Sequence, residues 1–221
     1  MDILYIHPAK QEVEARYDKF AACPPYPFIP VGVIGFVNLL RAEGWQVAGL
    51  NLPLELALEP AFDLHAWLRT QAAAKLVLID LHWYEHCFGA LAVARAVKAV
   101  WPQTPVVIGG LTASNFAEEI LANFPVVDFI VRGDAETPLK LLAATCCGDS
   151  TVALDDVPNL LYRQADKVTQ NPRSYFANAA DLDTLDFVTT DWLHHHRSYA
   201  ALQHYGQGRI DLHHPTRLGH W

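Results

Sequence analysis

Leu76-Val77-Leu78-Ile79, the segment Gly89 to Val100, and Pro105-Val106-Val107-Ile108-Gly109-Gly110 together decide the fold. The first run is apolar on both faces of a strand, as a central parallel strand requires. The middle segment carries Leu91, Ala94, Ala96 and Val97 as the apolar face of a helix. The third run is a second short apolar strand, closed by two glycines. Strand, helix and strand in this succession make a βαβ unit with parallel strands and a right-handed crossover.

The same alternation continues on both sides. Asp2 to His7 reads as strand one, Val31 to Glu43 as a helix stopped by Gly44, and Gln46 to Leu50 as strand two. Pro60 to Thr70 and Asn115 to Asn123 read as helices, Asp128 to Val131 as strand five, and Glu136 to Ala144 as the last helix. Five βα units predict an α/β fold of doubly wound, flavodoxin-like or Rossmann-like type. It is expected as a five-stranded parallel sheet in order 2-1-3-4-5, with helices on both faces and a ligand crevice outside the carboxyl ends of strands one, three and four. Residues 1–148 are expected to form this domain. Residues 149–221 are expected to be a polar linker, a small hairpin (Asn159 to Arg163 with Lys167 to Gln170), and the truncated, partly disordered start of a following domain.

Composition narrows the function classes. The chain has 221 residues, 52% of them apolar, which suffices for a large core. A formal charge of −8 with no basic stripe argues against general nucleic-acid binding. No apolar run is long enough for a membrane span and no basic-then-apolar leader opens the chain, so a cytoplasmic location is expected. Cys23, Cys87, Cys146 and Cys147 form no CxxC pair and read as free thiols.

The candidate chemistry lies in the loops after the strands. In Gly109-Gly110-Leu111-Thr112-Ala113-Ser114, two glycines admit close backbone approach to a bulky ligand, and Thr112 and Ser114 offer hydroxyls. The plainer alternative is a tight turn with Ser114 as a helix N-cap. In Asp80-Leu81-His82-Trp83-Tyr84-Glu85-His86-Cys87-Phe88-Gly89, the aromatics Trp83 and Tyr84 would form an apolar wall and His82 a polar contact. Alternatively, they cap the sheet end. After strand five, Gly133 borders the crevice, while Asp134 and Glu136 fit the first turn of a helix, Asp134 as its cap. His7 ends strand one and opens a long connection through Pro24-Pro25-Tyr26-Pro27, suited to a lid or packing strap. No GxGxxG, GxxxxGK[ST] or GxSxG is present, which disfavours nicotinamide dinucleotide, phosphate-loop and serine-hydrolase chemistry. The consecutive His194, His195 and His196 diverge in regular structure, so no metal site is expected from them.

Four segments recur in one order: Pro30-Val31-Gly32-Val33-Ile34-Gly35-Phe36, Asp80-Leu81-His82-Trp83 with Gly89, Val107-Ile108-Gly109-Gly110-Leu111-Thr112-Ala113, and Asp128-Phe129-Ile130-Val131-Arg132-Gly133-Asp134-Ala135-Glu136. In order and spacing they resemble the N-terminal cobalamin-binding domain of cobalamin-dependent radical SAM proteins, over roughly residues 1–200. The resemblance implies a cobalamin lying over the strand ends, with Gly109 and Gly110 admitting it. It implies cofactor contacts from His7, His82, Trp83, Tyr84, Gly89, Leu111, Thr112, Gly133, Asp134 and Glu136. Strand one is followed by His7-Pro8-Ala9 rather than DxHxxG, so a water-ligated or unligated lower cobalt face is implied. The CxxxCxxC that holds an iron–sulfur cluster in that family is absent, and Arg217 to Trp221 stands about where it should begin. The resemblance therefore implies a corrinoid-binding module without its own iron–sulfur catalytic domain, that domain being missing or separate. The competing reading is a non-catalytic Rossmann-like regulatory or interaction domain with no bound corrinoid.

Overall fold

The computed structural model describes residues 1–10, 26–148, 152–164 and 167–204. One mixed sheet organises them. Strands β1 (Ile3–His7), β2 (Val47–Asn51), β3 (Leu76–Asp80), β4 (Val106–Gly109) and β5 (Phe129–Val131) pair in parallel, in spatial order β2-β1-β3-β4-β5. The sheet then continues antiparallel through β6 (Leu160–Gln164) and β7 (Lys167–Gln170). This corrects the expectation of a five-stranded, wholly parallel sheet with a separate hairpin. The sheet has seven strands, and the hairpin is its antiparallel edge, paired through Phe129 with Tyr162 and Val131 with Leu160.

Alternation along the strands feeds two cores. Leu4, Ile6, Val77, Ile79, Val106 and Ile108 face one side. There they meet α3 (Leu64–Thr70), α4 (Cys87–Val100) and α6 (Ala117–Asn123) through Leu68, Ala94, Val97 and Leu121. Ile3, Tyr5, Leu76, Leu78 and Val107 face the other side. They meet α1 (Val31–Ala42), α2 (Leu52–Leu58) and α7 (Glu136–Cys147) through Val37, Leu40, Leu54, Leu139 and Leu142. Helix α2 falls in a stretch read as connection. Asn51 caps it by accepting from the Leu54 amide, and Pro53 sits in its first turn, where the missing N–H costs nothing.

Two capping expectations are also corrected. Ser114 lies inside the short helix α5 (Leu111–Asn115), and its Oγ accepts from the Gly133 amide at 3.0 Å. Asp134 does not cap α7; its Oδ2 accepts from the Ala177 amide at 2.9 Å instead.

Residues beyond the hairpin pack on the same unit rather than trailing away. After α8 (Ala179–Asp183) the chain crosses α1, where Asn38 Nδ2 donates to the carbonyls of Asp186 and Thr189, each at 2.8 Å. Trp192, Leu193 and Tyr199 then enter the second core. Helix α9 (His196–His204) ends the described chain. Residues 205–221, Cys23 and the prolines at 24 and 25 lie outside the described residues. Among the described residues, no helix is long and apolar enough to cross a membrane.

Candidate functional site

At the carboxyl ends of β1 and β3 a charged side chain closes an otherwise apolar strand. Asp80 is buried, and its Oδ1 accepts from the Tyr5 hydroxyl at 2.7 Å and lies 2.8 Å from His7 Nδ1. Burial works to raise the Asp80 carboxyl, but the adjacent His7 and the hydrogen bonds from His7 and Tyr5 outweigh it and hold the group below its ordinary value. An ionised carboxylate only accepts, so His7 Nδ1 carries the proton in this contact. Burial, and then the Asp80 charge, push the Tyr5 phenol well above its usual range. His86 stacks edge-on with His7 at 5.4 Å, and burial followed by His7 lowers its pKa.

Among the described residues, Asp80 Oδ2 is buried without a partner. Asp80 also lines a cavity of about 390 Å³ over the strand ends, within the range of small-molecule sites. Val33, Phe36 and Val37 of α1 form one wall, and Leu78, Val107 and Val131 form the floor. Gly109, Gly110, Leu111 and Ser114 make the opposite rim, with Gly133, Asp134 and Arg173 beside them. Leu111 is 62% exposed there, which leaves apolar surface at the mouth.

The Gly-Gly pair divides into two roles. Gly110 has φ +114 and ψ 176, a region closed to other residues, and a Cβ there would stand 2.7 Å from the Leu81 carbonyl oxygen. Its identity is fixed by the turn. At Gly109 the nearest atom to an added Cβ is the Val131 carbonyl oxygen at 3.9 Å. The fold therefore leaves Gly109 free to be any small residue, and the space beside it belongs to the cavity.

Of the expected contact residues, His82, Gly109, Gly110, Leu111, Gly133 and Asp134 line the cavity. The others stand behind or beside it. His7 is wholly buried, with Nε2 3.4 Å from the Tyr26 carbonyl oxygen. Trp83 packs edge-on against Tyr26 and His82, and Tyr84 is 72% exposed. Gly89 serves packing, because a Cβ there would stand on the Ala9 carbonyl. Thr112 donates its hydroxyl to the His82 carbonyl at 3.0 Å and so ties the two rims together. Glu136 is buried at the start of α7, with Oε2 unpartnered. Tyr26 to Pro30 behave as a strap, held by Asn51 Nδ2 on the Pro27 carbonyl at 2.6 Å and by the Tyr199 hydroxyl on the Ile29 amide at 3.1 Å.

Sequence reading missed Asp80 and Arg173 as site residues. Asp80 carried a signal, a lone acid ending an apolar central strand. Arg173 follows the hairpin, and its approach to Gly133 depends on β6 pairing with β5, a contact without local signature.

Residues 17–143, more than half of the chain, match the family model of the B12 binding domain. The chain belongs to the B12 binding domain family. No curated protein gives a significant match. The cavity fits a B12 cofactor on its own terms: a corrinoid offers broad apolar faces ringed by amide groups, and this site combines apolar walls with a buried carboxylate oxygen awaiting a donor. Asp80 would hold an amide N–H, Gly109 would allow the macrocycle close to β4, and Arg173 at the rim would suit an anionic substituent.

Proposed function

We propose that this chain is a cobalamin-binding module serving a radical SAM-type catalyst, with the corrinoid seated over β1, β3 and β4. The observation that carries the reading is the unpartnered Asp80 Oδ2 in an apolar cavity beneath the Gly109-Gly110 turn, within a B12 binding domain. Cobalamin supplies methyl transfer or assisted radical chemistry when bound. This chain's residues would bind and orient it.

His7 is wholly buried with its Nδ1 committed to Asp80, which supports a lower cobalt face without histidine from β1. The CxxxCxxC motif is absent from these 221 residues, so in this reading the iron–sulfur step belongs to another segment or protein. No catalytic step is assigned to this chain. In this reading the binding unit is residues 1–148 together with the segment after them, since β6 and β7 complete the sheet and Arg173 lines the cavity.

The test is to add hydroxocobalamin to the purified chain, remove the excess by gel filtration and record the visible spectrum. Retention of about one equivalent, with bands of a cobalt lacking histidine, is expected. A folded protein that retains none would overturn the reading and leave an interaction domain.

A further inference from the structure

On the opposite margin of the sheet, at β2, three metal-ligating side chains converge. Glu55 belongs to α2, and its side chain is 3% exposed. Its Oε1 lies 3.0 Å from His194 Nδ1 and its Oε2 lies 2.9 Å from His195 Nδ1. One donor atom from each of the three residues lies within 4.8 Å of the other two.

Adjacent histidines diverge in a regular helix or strand, and that expectation fails here for a definite backbone reason. His195 adopts φ +53, a left-handed conformation uncommon for a non-glycine residue, which brings its ring beside that of His194 at 4.0 Å between centroids. The turn is held from below. The Gly49 amide donates to the Trp192 carbonyl at 2.9 Å, and the His194 amide donates to the Gly49 carbonyl at 2.8 Å.

The geometry points to a binding site for a borderline divalent transition-metal ion, zinc foremost, formed by Glu55, His194 and His195. Two imidazoles and one carboxylate are a recurrent zinc donor set that leaves a fourth position open. His194 and His195 are 42% and 48% exposed, so that position faces solvent. Donors ~2.0–2.2 Å from a tetrahedral zinc stand ~3.3–3.5 Å from one another. The present nitrogen–oxygen separations of 3.0 and 2.9 Å run to the two different carboxylate oxygens, and with all three donors inside 4.8 Å of one another side-chain rotation suffices to gather them round an ion. A buried carboxylate is costly without positive charge beside it, and the ion would supply that charge. The ligands are 139 and 140 residues apart in sequence, so the ion would clamp the segment ahead of α9 onto α2.

The test uses the full chain, stripped of metal with EDTA and free of corrinoid, titrated with zinc against a chromophoric chelator. One tight equivalent and a rise in Tm on zinc addition are expected. Glu55→Gln, and separately His194→Ala with His195→Gly, should weaken that equivalent by roughly 100-fold and cancel the Tm rise. Glycine at 195 keeps the left-handed turn, and circular dichroism checks that each variant is folded. His213→Ala with His214→Ala should leave the tight site intact. Tight zinc binding that survives in both Glu55 and His194/His195 variants overturns the proposal. So does a wild-type chain that binds zinc no better than those variants, which would leave a hydrogen-bonded cluster only.

Discussion

Replacing Gly110 by alanine separates the turn from the site it borders. The residue sits at φ +114 and ψ 176, where a side chain costs ~1–3 kcal/mol. The added Cβ would stand 2.7 Å from Leu81 O, 2.8 Å from Leu81 C and 2.9 Å from His82 N. All three are backbone atoms that cannot rotate aside, and such overpacking adds ~1–3 kcal/mol. The sum is about 2–6 kcal/mol, and at ~2–4 °C per kcal/mol for a chain of this size Tm should fall by about 4–24 °C. Gly109→Ala meets only Val131 O at 3.9 Å and should leave Tm nearly unchanged. Gly109→Phe, whose ring leaves through the cavity, should abolish corrinoid retention with a much smaller loss of Tm than Gly110→Ala. Thermal unfolding of the three variants, beside hydroxocobalamin retention for those still folded, measures both effects. A Gly110→Ala protein as stable as wild type refutes the backbone argument, and corrinoid held normally by Gly109→Phe refutes the site.

Asp80→Asn should cost about 1–3 kcal/mol in urea unfolding at pH 7, because Tyr5 and His7 lose their charged acceptor. The folded Asp80 pKa is lowered, so its contribution is present above the unfolded value and is lost as pH falls through the folded one. The variant should therefore show a shallower loss of stability on acidification than wild type, and an equally steep one counts against the assignment. Trp192→Ala empties a largely buried ring site against Tyr5 and should cost ~3–5 kcal/mol, with faster proteolysis after residue 185; unchanged stability and cleavage would show the segment is not docked. Burial pushes the Cys146 thiol up to about 12 and the Cys147 thiol up to about 11. In a Cys23→Ser, Cys87→Ser background, the buried Cys147 should stay inert to a thiol reagent at pH 8 until the chain unfolds and the half-buried Cys146 should react far more slowly than a free thiol, and rapid native labelling at either position would contradict those shifts.

The periodicities that carry local information were legible. Apolar runs at 76–79 and 105–108, and helical spacing between them, announced β3, α4 and β4 because each element buries its own pattern. What was not legible is non-local. Nothing in Leu160 to Gln170 says that the hairpin must pair with β5 rather than stand apart, since any hairpin has the same turn and alternation. Helix α2 was missed because it is two turns long and begins with proline near its start. In the candidate site, the Gly109-Gly110 turn stood out, but sequence could not distinguish a glycine required by φ from one spared by a cavity. Trp83, Gly89 and Thr112 were chosen for residue type in the right loops, and their contacts are with neighbouring chain. Convergence of His194 and His195 on Glu55 needed one left-handed residue that no propensity would assign to histidine.

An open sheet has two outer strands, each a template on which a foreign strand could add. Here both are blunted. At β2 the Gly49 amide and carbonyl are already taken by Trp192 and His194, so part of that margin is satisfied from within the chain. At β7 the outer strand is four residues long, carries Lys167 and Gln170 exposed at its ends, and offers little length for pairing. Strand addition at β2 would first have to peel Trp192 and His194 from Gly49, so a closed margin there depends on the last described segment staying docked.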